Sequence, residues 1–396
     1  MPPFMVFLVV FAVFLAWVSL PFLPAVVELL RPRDASPLTG VGSDAGDLTF
    51  FADGFRRYAS TSGLLSELDA RYGVPDAGLM EPFDHATPDA SESPRPQPQT
   101  TFQLRDRTNV RVLRSARVAR DIVSVPGRPR VGDRAPDDTR DIIVVDAPTP
   151  LPEQLAVDAE VIARSDFIGG AAMRVRALLA MRSANLAIDT VIVRWVHADG
   201  ALLVGRGCSL FGRATSNTEI RLGPGVRFER IKAPRIIVGA EDDEFVPPPT
   251  VSVLHGEPWA RPMTDRITRM SPDTIRVHGD LTIPPDVVVS SNLVVTGRLL
   301  LEQGSQLRGS AKARNGIQLA GLNIVTGTLT SVHDIHIGAR SRVAGPIIGE
   351  ELVHVHEHTI VGTPHVPTTI TAPRVVLSRG AAVYGAVATR EGGSTS

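Results

Sequence analysis

Six of the ten histidines, His333, His336, His354, His356, His358 and His365, crowd into one short stretch near the C-terminal end. Neutral imidazole is a preferred ligand of zinc and its neighbours in the transition series, so a metal site is the first chemistry these residues suggest. His354 lies three hexads beyond His336. If the chain coils with a three-hexad period, the two stack on adjacent rungs about 4.8 Å apart, within reach of one ion. His356 and His358 fall in the turn that follows, beside Glu357, and complete a candidate metal set of His336, His354, His356 and His358. The competing reading is a ladder of like residues on a solvated face, which needs no ligand. If the cluster is functional, protonation near pH 6.5 would set like charges side by side and loosen that face.

Other chemistry is sparse. Glu241, Asp242, Asp243 and Glu244 are clustered carboxylates of the kind that suits calcium, but their spacing matches no calcium loop, and a solvated loop explains them. There is no Gly-rich loop before a Lys, no nucleophile elbow and no HExxH helix. No cofactor is expected.

The element that would have to position the histidines is a hexad repeat across residues 273–361. Stepping by six gives one apolar track through Leu281, Val287, Leu293, Leu299, Ala311, Ile317, Leu329, Ile335, Ile347 and Val353, and a second through Ile283, Val289, Val295, Leu301, Leu307, Ala313, Leu319, Val325, Ile337, Val343, Val355 and Val361. Between the tracks fall turn triplets such as His278-Gly279-Asp280, Thr296-Gly297-Arg298, Arg314-Asn315-Gly316 and Ala344-Gly345-Pro346. Three extended residues put their first and third side chains on one face, and the turns need the unusual φ that Gly and Asn tolerate. With V-x-G recurring every three hexads, the pattern predicts a three-sided β-solenoid of about 18 residues per rung. The middle positions Val288, Val294, Leu300, Ile324, Ile348 and Ile360 then point outward. Exposed apolar groups of this kind mark association surfaces, and the free rung edges at each end could pair with another copy, so self-association is expected.

Around this segment the chain divides by composition. Residues 4–27 carry no charge, enough for one transmembrane helix over 1–30. No basic n-region precedes the run, so it should remain as a lipid anchor. Arg31 and Arg33 just after it place the bulk of the chain on the cytoplasmic side of an inner membrane. Residues 31–100 form a polar and Pro-rich linker, with an amphipathic helix suggested by Phe51, Phe55 and Tyr58. Residues 101–158 are a basic segment with strands; nine Arg stand against three Asp over 101–134. A first solenoid segment over 159–239 of about four rungs is followed by an acidic and Pro-rich insertion at 240–272. A second segment over 273–390 has about six rungs, and a disordered tail fills 391–396. Ala233-Pro234-Arg235-Ile236-Ile237-Val238 is echoed by Ala372-Pro373-Arg374-Val375-Val376-Leu377, which ties the two segments together. The net charge of -1 and 5% aromatic content give no reason to expect nucleic acid, and the single Cys208 excludes a disulfide framework.

Val277-His278-Gly279, Val295-Thr296-Gly297, Val325-Thr326-Gly327, Val343-Ala344-Gly345 and Val383-Tyr384-Gly385, with the apolar N-terminus and Pro-rich flank, resemble the bactofilins, polymer-forming bacterial cytoskeletal proteins. The resemblance covers 274–388 and implies an all-β protein that stacks end to end at the inner membrane as a scaffold for envelope-assembly proteins. This chain departs from that pattern in its length and its insertion. The alternative is a hexapeptide-repeat acyltransferase acting on an envelope sugar or lipid precursor. Ile337-Gly338-Ala339-Arg340-Ser341-Arg342 resembles one of its hexads, but few other units begin with an aliphatic-Gly pair and no histidine stands out as catalytic, His255 in the insertion being the least unsuitable.

Overall fold

The computed structural model describes residues 48–73, 101–113, 141–239 except 147 and 149, and 265–396. These residues form an all-β solenoid of about 13 turns of roughly 18 residues, with two short helices, α1 (Phe50–Thr61) and α2 (Leu64–Tyr72). The expected transmembrane span and the 240–264 part of the insertion lie outside the described residues. Among the described residues, no helix is long and apolar enough to cross a membrane.

In the second coil the three-hexad period is strict. Ile275 pairs with Leu293, Leu293 with Ala311, Ala311 with Leu329 and Leu329 with Ile347, all in parallel register. The second face repeats this through Leu281, Leu299, Ile317, Ile335 and Val353. The third does so through Val289, Leu307, Val325, Val343 and Val361. Both apolar tracks point inward and are buried, as the hexad predicts. After Val361 the period lengthens: Ile347 pairs with Ile370 and Val353 with Val375, so the slipped register absorbs a loop around His365 without breaking the stack.

One corner recurs in both coils. Asp286, Gly304, Leu322, Arg340, His358 and Gly380 all have positive φ and occupy the same corner of successive rungs; Ala172, Asp189, Gly207 and Gly225 do the same in the first coil. A left-handed residue is the sharp bend that closes each turn. At the four middle corners of the second coil the next residue is Ser305, Asn323, Ser341 or Thr359, each wholly buried, while Val287 and Ala381 follow the first and last. Asn323 donates through Nδ2 to Ser305 Oγ (2.9 Å) and to Glu302 O (2.6 Å), and the Ser341 hydroxyl accepts from the Asn323 backbone N–H. The hydrogen bonds offset the cost of burying these polar groups.

The first coil starts earlier than composition suggests. Strands Asn109–Leu113 and Asp141–Val145, within the expected basic segment, already stack in parallel beneath Ala156–Ala163. Its rungs are less regular. Arg174 pairs with Val191 and Val191 with Ser209, so one rung is a residue shorter than the next, and bulges mark where the long strands bend round a corner. One face is buried on both sides. Its inner residues Val161, Leu178 and Val196 join the main core, while Val144, Ile162, Leu179 and Trp195 face a second core closed by α1 and α2. Ala52, Phe55, Ala59, Leu64 and Leu68 supply the helices' share; of the expected Phe51, Phe55 and Tyr58, Phe55 is buried, Tyr58 is partly buried against this core and Phe51 is exposed. Gly63, at φ +78°, breaks the predicted helix in two. Arg164, 6% exposed, locks α2 down by donating to Asp146 (2.9 Å), Asp69 and the Gly73 carbonyl (2.7 Å).

The two coils meet at their C-terminal rungs. Strand Arg227–Val238, the last of the first coil, pairs antiparallel with Ala382–Thr395, the last of the second, and the pairing runs round all three faces: Phe228 with Gly393, Ile231 with Val387, Ile236 with Val383. One aliphatic core runs through both coils across this junction. Pro234 and Pro373, in the echoed sequences, both sit at register breaks where a strand turns a corner and no ladder N–H is lost. The tail expected to be disordered is instead part of this closing strand. Thr395 Oγ1 accepts from Val226 N (2.9 Å) and donates to Gly223 O (2.7 Å), and the Phe228 ring packs so closely on Gly393 that a side chain there would strike it.

Candidate metal centre

His336 and His354 are register partners in adjacent rungs on the second face of the second coil, so the ladder fixes their backbones one strand spacing apart. Both are the middle residue of an inward-outward-inward triplet. Ile335 and Ile337 beside His336, and Val353 and Val355 beside His354, are buried, which turns both imidazoles outward. His356 leaves the same strand two residues on and returns to the outer surface.

The three rings converge. His354 and His356 stack with centroids 3.9 Å apart; His336 lies 5.9 Å from His354 and 6.3 Å from His356. One ring nitrogen from each of the three lies within 4.8 Å of the other two, and all three side chains are half-buried. His354 Nε2 is 3.1 Å from the hydroxyl of Ser378, a buried residue of the next rung. Burial lowers the affinity of His354 for a proton, and the neighbouring His356 and His336 lower it further, against a smaller opposing pull from Glu357.

The fourth residue of the sequence set does not join them. His358 is the left-handed residue of its rung, and its ring lies over Gly380 of the next rung, where a Cβ would come 2.5 Å from Nδ1. It shapes the corner instead of facing the cluster. His333 pairs with Glu351 across one rung at 2.7 Å, both half exposed, and borders an open groove of about 390 Å³ that also reaches Arg298, Asn315, Asp334 and His336. His365 is exposed on the loop that lengthens the last turns. His255 and the acidic run Glu241, Asp242, Asp243 and Glu244 lie outside the described residues.

The outward apolar residues are dispersed. Val294 and Ile348 lie on the first face, Leu300 on the second, and Val288, Ile324 and Ile360 on the third. Register places Val294 between Arg276 and Lys312, Leu300 between Thr282 and Gln318, and Ile324 between Gln306 and Arg342. Val288 is buried and the others are half-buried, so they form no single apolar strip along the coil.

A second polar cluster, which the sequence reading missed, joins α1 to the first coil. His197, 1% exposed, shares a hydrogen bond with Thr215 Oγ1 through Nδ1 (2.8 Å) and with Asp199 through Nε2 (3.1 Å), while Arg56 of α1 donates to the same Asp199 carboxylate. Burial lowers the proton affinity of His197, with Asp199 opposing. The available signal was a His in a strand whose inner and outer positions are both apolar. Cys208 is buried after the left-handed Gly207; its thiol donates to Ala187 O at 3.0 Å, and burial raises its pKa. That thiol is a packing group, not a nucleophile.

These features define the chain as a β-solenoid protein whose interior is packed mainly with aliphatic side chains, with buried hydrogen-bonded polar groups at the corners of the second coil. No family model matches the chain, and no curated protein or solved structure shows significant similarity to it.

Proposed function

We propose that the chain is a non-enzymatic structural scaffold of the bactofilin kind, held at a bacterial inner membrane by residues 4–27 and presenting its solenoid to envelope-assembly partners. The observation that carries this reading is the junction at which two coils pair strand to strand across all three faces. A solenoid end is a row of free backbone donors and acceptors, and here two such ends saturate each other. The same chemistry is open to the opposite ends, Thr101–Gln103 and Ile267–Ser271. Each is a short antiparallel strand laid on the first rung of its coil. End-to-end assembly of copies through those strands would extend the mode of pairing that already holds the chain together.

Electron microscopy of the purified full chain tests this. Rods or filaments longer than one molecule are expected. Discrete particles that bind an acyl-coenzyme A would overturn it in favour of the acyltransferase alternative. An Ile267→Pro substitution should shorten the assemblies, because proline removes a donor from the terminal strand.

A further inference from the structure

The geometry points to a transition-metal site made by His336, His354 and His356, which takes one zinc-like ion and staples two rungs of the second coil together. The donor set is three imidazoles with no carboxylate among them, which suits Zn²⁺, Cu²⁺, Ni²⁺ or Co²⁺ and not Ca²⁺ or Mg²⁺. Two of the three come from one rung and the third from the rung before it, so the ion would bridge the coil along its stacking direction.

The backbones are already in place. A four-coordinate ion with nitrogen ligands at about 2.0–2.1 Å needs those nitrogens about 3.3 Å apart. The nitrogens are already within 4.8 Å of one another, with the His354 and His356 rings stacked at 3.9 Å and His336 beside them on the neighbouring strand, so rotation of half-buried rings is the movement that binding asks for. The contact between His354 Nε2 and the Ser378 hydroxyl holds that ring in place, the part an outer partner plays at such centres, and with Nε2 as the protonated nitrogen Nδ1 is left to bind the ion. The half-exposed rims leave the fourth position to water or to an incoming ligand.

The position gives the ion a structural consequence. His354 pairs with Val376, and Val376 with Ser394 of the strand that closes the junction. An ion joining His336 to His354 and His356 therefore stiffens the rungs on which the tail-to-tail contact rests.

The test is Co²⁺ and Zn²⁺ titration of the full chain purified without a histidine tag. The proposal expects one Co²⁺ per chain with the visible absorption of a four-coordinate ion, displaced by Zn²⁺, and a higher thermal midpoint with metal. His336→Ala, His354→Ala and His356→Ala should each weaken binding by about 100-fold or more, since loss of an outer-shell partner alone costs about 10–100-fold. His333→Ala and His358→Ala, whose rings lie off the cluster, should bind as the parent does. Circular dichroism checks that each variant keeps its strands, and His356→Asn replaces any alanine variant that does not. No Co²⁺ uptake, or uptake that survives loss of both His336 and His356, would overturn the site. So would equal loss on His358→Ala.

Discussion

The two coils share a wall design and differ in what they do with its outer surface. On the face that follows the left-handed corner and its short strand, the first coil sets the outward column Val112, Val144, Ile162, Leu179, His197, Thr215 and Lys232. The corresponding column of the second coil is Arg276, Val294, Lys312, Thr330, Ile348 and Thr371. The first column is apolar until the helices end and then turns polar; the second mixes polar and apolar throughout. The corners differ as well. In the second coil buried Ser305, Asn323, Ser341 and Thr359 form a polar ladder between Val287 and Ala381 at its two ends, whereas the first coil places Met173, Thr190, Cys208 and Val226 there. A three-sided coil thus tolerates either chemistry at a corner, provided the left-handed residue before it is kept. What covers the outside decides which residues are free for recognition. In the first coil it is two helices; over the second no described helix lies, and that is where the histidines converge.

The junction offers the strongest way to break the comparison. Phe228→Ala, at a buried ring packed on Gly393, should cost about 3–5 kcal/mol in urea denaturation. Because one core spans both coils, the two should still unfold in a single transition. Separate transitions would show that they are independent units.

A smaller and more discriminating effect lies on the outer faces. The Phe55 ring packs edge-on against Trp195 with centroids 5.7 Å apart. Phe55→Ala removes it and should cost about 3 kcal/mol, with the Trp195 emission shifting as α1 lifts away. Leu300→Ala, on the outer face of the second coil, should cost less than about 1 kcal/mol, because a half-buried residue has less to lose. Equal costs would mean that something covers the second coil too.

The dependence on pH comes next. Folded His197 holds its proton less tightly than in the unfolded chain, so below its ordinary value of 6.5 the unfolded state takes up the proton first. Stability is therefore full above that value and falls as pH drops through the window beneath it, by no more than about 1.4 kcal/mol per pH unit for one site. The groups facing it are Asp199 and Thr215 of the wall and Arg56 and Asp53 of α1. His197→Gln should flatten that slope in chemical denaturation measured across about pH 7 to 5. The shift at His354 acts in the same direction, so a remnant slope in the variant reports on the second coil.

The smallest effect is at the shared corner. Arg340 is exposed with φ at +57°, in the left-handed region. That conformation disfavours side chains, so Arg340→Gly should raise stability by about 0.5–1 kcal/mol. Gly304→Ala, in the same column of corners, should lower it by a similar amount, since a Cβ there meets the Asp286 carboxylate.

Much of the second coil was legible because its repeat is short. A strand triplet and a turn triplet fit within one hexad, so the inward tracks, the three faces and the stacking of His336 on His354 all follow from local alternation. Spacing alone puts His358 in the cluster because it cannot tell an outward strand position from a left-handed corner. In the first coil the rung length varies by a residue and the long strands bend at bulges, which blurs the same signal; within 101–158 the sequence shows basic residues and strands but not that those strands are rungs of the coil. The apolar outer positions at Val144, Ile162 and Leu179 carried a hint that a second layer covers them.

What the sequence determined by itself is the coil: which residues face inward, how many make a rung, and where the chain bends, since these depend on contacts one rung away. Which histidine rings converge, which face the helices cover, and that the two coils close on each other through Arg227–Val238 and Ala382–Thr395 were decided by tertiary structure alone. Antiparallel pairing between strands so far apart in the chain leaves no period in the sequence. It follows from the need of two open solenoid ends to satisfy their backbone groups, and backbone groups are the same whatever the side chains.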